Sequence, residues 1–311
     1  MADILCVGQM VADILAKPME CIDFSVDTKR VDMITVKSGG DSYNTAVALA
    51  KLGQSVGLVS KCGRDVFGDF LCSHAEEAGI DIRNIIRDPS VGTSSVVAPI
   101  NREGERVFFY YGGANDTFAY NDIPPGALDG CKIVHVGGTY NLPMFDGGGA
   151  ASLFADAQSM GALTSMDNTW DTSGRWLDII KPCLPRLDYF MPSIGEAKQI
   201  TGKQTPAEIA RFLRNEGVKN VVVKLGAEGC YVENADISFY IPSFMVQPVD
   251  TTGAGDCFVA GFLTGLTNGW DLRRCSVFAC AVAAKSITKV GATEGAPTFA
   301  EAMEFIETKE A

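Results

Sequence analysis

Histidine is nearly absent. The 311-residue chain holds two, His74 and His135, so no HExxH zinc site can be assembled and a histidine-dependent nucleophile system has little to draw on. His74 falls on an expected helix surface and His135 inside an alternating apolar strand, and both read as structural. No GxxxxGK[ST] occurs, which excludes the P-loop class of phosphate binder. The first strand, ILCVG, ends on a lone Gly8 with no GxGxxG, so the dinucleotide fingerprint is missing too. Basic residues form no run. With 26 Lys and Arg against 38 Asp and Glu, the formal charge is −12, which repels nucleic-acid backbones and anionic membranes. No apolar run reaches the roughly 18 residues of a spanning helix, and MADILCVGQMV lacks a basic segment followed by a long apolar one. The ten cysteines include no CxxC pair, so zinc-ribbon chemistry is unsupported and the thiols read as reduced and mostly buried. These absences lead us to expect a cytoplasmic protein with neither a nucleic-acid nor a membrane partner.

What is present is a rhythm. Short β-rich runs, among them 4–8, 56–63, 132–138, 163–167, 189–193 and 220–226, alternate with helical patterns at 41–52, 150–160, 205–216 and 256–268. That alternation predicts an α/β fold: a mostly parallel sheet with helices on both faces. Two segments interrupt it. GTSSVVAPINREGERVFFYY (92–111) reads as a hairpin turning at Asn101 to Glu105, and 11–37 looks extended. We expect both to form a small β-sheet lid over a core made of 1–10, 38–91 and 112–311. Edge strands of the main sheet are the alternative.

Three glycine turns carry the chemistry. In DTTGAGDCFVAGFLTGL (250–266), Phe258, Phe262, Leu263 and Leu266 recur at helical spacing, which starts a helix near Gly255 or Asp256. Gly253, Ala254 and Gly255 then lead into it. Small residues let a ligand approach the backbone, and first-turn amides lack intrahelical acceptors and sit at the positive end of the dipole. Asp256 stands beside this anion hole, placed to take a proton from a nucleophile while the amides stabilise a transferring phosphoryl group. The plainer reading makes Asp256 a helix cap. In VKSGGDSYNTAVALAKLG (36–53), Gly39 and Gly40 precede another helix whose first turn carries Asn44, a donor and acceptor for polyol hydroxyls. Here Asp41 or Ser42 as the cap, with Asn44 solvated, is the alternative. In VVVKLGAEGCYV (221–232), Gly226 and Gly229 form a turn at a strand's carboxyl end, where open α/β sheets bind ligands.

DTTGAGDCFVAGFLTGL resembles the C-terminal signature of the ribokinase-like PfkB family of carbohydrate kinases, and GGDSYNTAVALAKLG resembles its N-terminal signature; the likeness runs from the first strand to AKSITKVGAT (284–293). It implies ATP-dependent phosphorylation of a hydroxymethyl group on a monosaccharide or sugar acid, with Mg2+ as cofactor. By this resemblance Asp256 is the catalytic base, with Gly253, Ala254 and Gly255 as the anion hole. Asp13 holds sugar hydroxyls with Gly39, Gly40 and Asn44. Lys224, Gly226 and Gly229 match the nucleotide side. Asp250, Thr252 and Gly291 resemble a site for a monovalent cation such as K+, whose use varies among members. One departure matters: where the family has Asn-x-x-Glu, PSIGEA supplies Ser193 and Glu196, so the carboxylate that organises Mg2+ survives beside a shorter polar partner. Glu196 as an ordinary first-turn helix acid is its plainer reading. Asp167 and Asn168 fall near the expected phosphate region without the longer Asp-x-Asn-x-Arg pattern. Arg102 and Arg106 on the expected lid, with Lys29 and Arg30, are candidates to meet an anionic group on the sugar. A nucleoside kinase and a non-catalytic sugar or nucleotide sensor are the rival functions, and lid edges suit a homodimer.

Overall fold

A computed structural model describes residues 2–310. Among the described residues, thirteen strands fall into two sheets. In chain order they are β1 (Ile4–Gly8), β2 (Val11–Lys17), β3 (Met33–Gly39), β4 (Val56–Gly63), β5 (Ile85–Asp88), β6 (Ser95–Pro99), β7 (Phe109–Tyr111), β8 (Ile133–Thr139), β9 (Leu163–Asn168), β10 (Tyr189–Phe190), β11 (Asn220–Lys224), β12 (Cys230–Glu233) and β13 (Ser238–Ile241). The large sheet runs β13-β12-β11-β10-β9-β8-β1-β4-β5, and the small one β3-β2-β6-β7. From β11 to β5 every neighbouring pair is parallel, while β12 and β13 add an antiparallel edge. Parallel strands need crossovers and so become covered on both faces. The strands accordingly read as continuous apolar runs, and two buried clusters lie on opposite faces: Ile4 and Cys6 of β1 join one, Leu5 and Val7 the other.

The order of strands fixes where a ligand can sit. From β1 the chain turns one way through β4 and β5, then returns to lay β8, β9, β10 and β11 on β1's other side. This is a topological switch point, and the cleft beyond the carboxyl ends of such strands is open to ligands. The helix Asp41–Lys51 starts at that cleft, and Ser42 Oγ donates to the carbonyls of Val7 (2.8 Å) and Gly137 (2.9 Å). Ser42 therefore ties the helix to β1 and β8, and neither it nor Asp41 supplies a cap: the N-cap is Gly40, without a side-chain bond.

The helix of the glycine-rich signature runs Ala254–Thr267, one turn-position earlier than apolar spacing indicated, because Gly253 at φ 74 forms the left-handed entry. It is buried from Asp256 through Gly265. Gly261 and Gly265 let the helix Leu272–Ser286 come close: a Cβ on Gly261 would lie 2.8 Å from Ala279 Cα. Between them Phe262 is fully buried, and truncating such a side chain to Ala costs about 3–5 kcal/mol. The entry of that helix is thus held rigidly from behind.

In the small sheet, direct cross-strand partners share a face. Asp13 pairs with Lys37 and Val96, and Val96 with Tyr110; the other face carries Ile14, Val36, Val97 and Phe109. Ile100 bridges Arg106, and Asn101 N–H donates to the Glu105 carbonyl at 2.9 Å, closing the turn between β6 and β7. Among the described residues no helix is long and apolar enough to cross a membrane.

Candidate active site

The carboxyl ends of the parallel strands deliver one charged cluster. Lys224 ends β11, and Asp167 and Asn168 end β9. Lys224 Nζ lies 2.5 Å from Asp167 Oδ2, with the two side chains 12% and 5% exposed. Burial by itself would depress the Lys224 ammonium, but Asp167 and Glu196 beside it reverse the effect and hold it above its ordinary value. The same cation faces Asp256. Burial raises the Asp256 carboxyl well above the usual range, Asp41 raises it further, and the Asn44 side chain opposes them.

Asn44 Nδ2 donates to Asp256 Oδ2 at 2.8 Å. One of its two N–H donors is therefore given to the carboxylate, where the sequence suggested a group free for sugar hydroxyls on both its donor and acceptor sides. The buried Oδ1 has no partner among the described residues. Asp41, considered only as a cap from sequence, belongs to the cluster: burial, then Asp167 and Glu196, raise its carboxyl to about 7.

Asp13 joins from the small sheet. Its carboxylate lies against Gly39, where any Cβ would collide with it, and Gly40 at φ 95 packs on the backbone of Gln9 and Met10. The diglycine is thus required by close approach and by a left-handed turn. Burial lifts Asp13 to about 6, while Arg106 pulls the other way.

Ser193 and Glu196 form a reciprocal capping box. Ser193 N–H donates to Glu196 Oε2 (2.9 Å) and Glu196 N–H to Ser193 Oγ (3.4 Å). The structure places Glu196 as a first-turn acid, its plainer reading, and also on the wall of a cavity. Burial first, with Asp167 adding to it, raises its carboxyl. Asp250 is similarly occupied: Oδ1 accepts from Thr252 N–H (3.0 Å) and Oγ (2.7 Å), and Oδ2 from Gly291 N–H (3.0 Å). Arg106 reaches across from the small sheet, Nη2 donating to Thr252 Oγ1 at 3.0 Å and Nη1 lying 3.9 Å from Asp250.

Two cavities meet here. The first, of about 560 Å³, is walled by Asp41, Asp167, Ser193, Glu196, Lys224 and the Gly253–Asp256 turn. The amides of Gly255 and Asp256 open onto it without intrahelical acceptors. Asp256, although 9% exposed, is on that wall and not sealed in the interior. The second, of about 350 Å³, is apolar, formed by Phe244, Met245, Val246, Phe258, Ala283 and Ile287. Lys224, Gly226, Thr251, Ala254 and Gly255 line both. Gly229 lines the second, and a Cβ there would strike the Ile241 carbonyl. A polar chamber with helix-end amides beside an apolar slot suits a polyphosphate joined to a planar base. No motif marks 244–246 or 283–287; they meet only through folding.

A model of the pfkB family of carbohydrate kinases matches residues 1–299. The chain belongs to the pfkB family of carbohydrate kinases. It is accordingly a phosphotransferase acting on a sugar hydroxyl. Among its relatives, the ATP-dependent 6-phosphofructokinase of Thermoanaerobacterium thermosaccharolyticum is 28% identical, over 95% of this chain and 91% of that one. The 2-dehydro-3-deoxygluconokinase of Bacillus subtilis is 27% identical over 83% of each. An E. coli protein solved in complex with ATP and Mg2+ superposes with a TM-score of 0.87 at 25% identity, covering 99% of this chain and 100% of that one. The pfkB assignment agrees with both glycine signatures and with the α/β architecture carrying a separate small sheet.

Proposed function

We propose that this pfkB kinase transfers the γ-phosphoryl group of ATP to a primary hydroxyl of a monosaccharide or sugar acid. The observation that carries the reading is the Asp256 carboxylate on the cavity wall, directly after the Gly253–Gly255 turn and bonded by Asn44. The triphosphate lies over the Gly253–Gly255 turn at the open amides of Gly255 and Asp256, the Ala254 N–H being given to the Thr251 carbonyl (3.3 Å), with Lys224, Gly226 and Ser193 along its path, and the base enters the slot beside Gly229. The sugar lies between Asp13, Gly39, Gly40 and the unpaired Oδ1 of Asn44, its reacting hydroxyl toward Asp256. Asp256 takes the hydroxyl proton as the oxygen attacks, and the amides and Lys224 balance charge on the phosphoryl oxygens. The small sheet acts as a lid that excludes water. The cavity wall presents oxygen donors, Glu196 and Asp167 among them, of the kind Mg2+ accepts through its water shell. Held there, Mg2+ would supply positive charge against the charge of the transferring phosphoryl group. A monovalent cation such as K+ at Asp250, Thr252 and Gly291 would have to share Asp250 with Arg106; titrating activity against K+ decides its use.

Names of relatives frame the acceptor: one acts on a phosphorylated sugar and one on a sugar acid. A panel of neutral sugars, sugar acids, sugar phosphates and nucleosides with Mg·ATP, read by ADP release, tests the reading. Turnover confined to nucleosides, or tight sugar binding with no turnover at all, would overturn it.

Asn44→Ala removes the donor that holds Asp256 ionised, against burial and the Asp41 and Asp167 carboxylates, with Lys224 alone still favouring the charge. The base then protonates at higher pH, so the acidic limb of kcat should move upward; an unchanged limb refutes this role. Asp13 behaves differently. With its carboxyl near 6, it becomes a neutral acid below that pH and a weaker acceptor for sugar hydroxyls. KM for the sugar should therefore rise as pH falls through 6 while KM for ATP holds steady.

The outward face of the lid exposes Ile34 (67%), Val97 (46%) and Phe109 (51%). We assign this face to a second copy of the chain, making a homodimer, since a small sheet left apolar outside is stable only when covered. A monomeric mass by sedimentation would remove the assignment.

A further inference from the structure

Away from both cavities, two thiols meet. Cys62 in β4 is fully buried, and Cys72 on the helix Val66–Glu77 is partly exposed; their Sγ atoms are 4.0 Å apart. Arg87 in β5 sits opposite Cys62 in the parallel register. Its Nη1 lies 3.8 Å from Cys72 Sγ, its Nε donates to the Gly63 carbonyl (3.1 Å), and its Nη2 pairs with Asp69 (2.5 Å). A fixed cation beside a partly exposed thiol is the arrangement that stabilises a thiolate. The Cys62 thiol donating to Cys72, with Arg87 alongside, holds Cys72 below its ordinary range, whereas that same bond and burial keep Cys62 protonated. Cys230 and Cys280 also share a hydrogen bond, but both are buried (0% and 2%), and pairing and burial push Cys280 upward.

This dithiol adjoins the strap that enters the small sheet. Gly63 N–H donates to Thr93 Oγ1 (2.9 Å). Asp65, which caps the helix Val66–Glu77 through Gly68 N–H (2.9 Å), also accepts from Thr93 N–H (2.8 Å) and Oγ1 (2.6 Å). Ser94 follows, its carbonyl accepting from Ala12 N–H at 2.9 Å, and β6 begins. Gly68 leaves no slack: a Cβ there would be 3.0 Å from Thr93 Oγ1 and 3.3 Å from Cys62 Sγ.

We propose that Cys62 and Cys72 are a peroxide-reactive dithiol, and that closing it into a disulfide stiffens the strap at 91–95. The Cys72 thiolate attacks one oxygen of hydrogen peroxide. The O–O bond breaks, leaving sulfenic acid on Cys72 and hydroxide, which leaves as water with a proton from solvent. Cys62 sulfur then attacks Cys72 sulfur, its proton passing to the departing hydroxyl, which leaves as a second water. Two thiols are oxidised by two electrons and one peroxide is reduced to two waters. The sulfurs must approach from 4.0 Å to about 2.05 Å, and the helix shift this asks for bears on Thr93 through Gly68 and Asp65.

The test needs no sugar, so its failure is separable from failure of the kinase reading. The full chain is treated with hydrogen peroxide, alkylated, digested and mapped by mass spectrometry, with amide exchange measured on 91–95. The expected result is a Cys62–Cys72 cross-link that dithiothreitol reverses, absent in Cys72→Ser and formed about tenfold more slowly in Arg87→Gln. Exchange on 91–95 should slow in the oxidised protein, and not in peroxide-treated Cys72→Ser. No cross-link, or a Cys230–Cys280 cross-link formed first, overturns the site; a cross-link with unchanged exchange overturns its coupling to the strap.

Discussion

Asp256→Asn lowers kcat by about three orders of magnitude, within the range a general base contributes, and leaves ATP affinity nearly unchanged. The reasons are local. The side chain keeps its size and an oxygen to accept from Asn44 Nδ2, so the helix entry at Gly253 is undisturbed, and both the amides and the apolar slot remain. What disappears is the group that takes the proton. The folded state also gains: burial and the Asp41 carboxylate raise the Asp256 pKa, so the ionised form opposes folding, increasingly as pH rises above the unfolded carboxyl's value. The neutral variant should therefore melt higher than the parent at pH 8. Calorimetric titration with ATP, a coupled ADP assay and a melting curve check the three parts. A variant retaining a tenth of the parental kcat would end the assignment of Asp256 as the base.

Lys224→Met should be the most destabilising single change in the cleft. The ammonium is 2.5 Å from Asp167 and faces Glu196 and Asp256, and breaking a buried pair by removing one partner costs about 3–5 kcal/mol. For a chain of this size that corresponds to a fall in Tm of roughly 5–8 °C. The pH dependence has a definite sign. Without the cation the remaining carboxylates favour protonation in the folded state, so the variant's deficit is largest at pH 8 and shrinks as pH falls toward 5. Adding Asp167→Asn should recover part of the loss, since the two side chains share one interaction. Denaturant titrations at both pH values measure this; a deficit below about 1 kcal/mol at pH 8 would show that the pair is not a buried one in the sense argued.

Local signals reached a long way into this protein. Strand and helix alternation predicted the parallel sheet, because apolar runs bounded by glycine turns are the direct imprint of two-sided burial. The interrupted stretches at 11–37 and 92–111 marked the second sheet for the same reason: they lacked a crossover helix. Gly253, Gly40 and Gly39 were visible because left-handed turns and close approaches admit little else. Electrostatic partnership was not visible. Asn44 and Asp256 are 212 residues apart, Lys224 and Asp167 are 57 apart, and nothing in either neighbourhood names the other. The apolar slot was hidden for a like reason, since 244–246 and 283–287 are unremarkable until the loop after β13 lies against the helix Leu272–Ser286.

By itself, the amino-acid order determined the class of fold, the three glycine turns and the identity of the acid, Asp256, that follows the Gly253–Gly255 turn, since each depends on local backbone sterics and on periodic burial that neighbouring residues impose. Only the tertiary structure decided which groups share a cavity, that the Asn44 amide is bound to Asp256, that Asp41 belongs to the charged cluster, and that Arg106 bridges to the Asp250 loop. Those outcomes depend on distances across the chain and on the low polarity that burial creates. Both come into being only when the strands have been laid in order around β1.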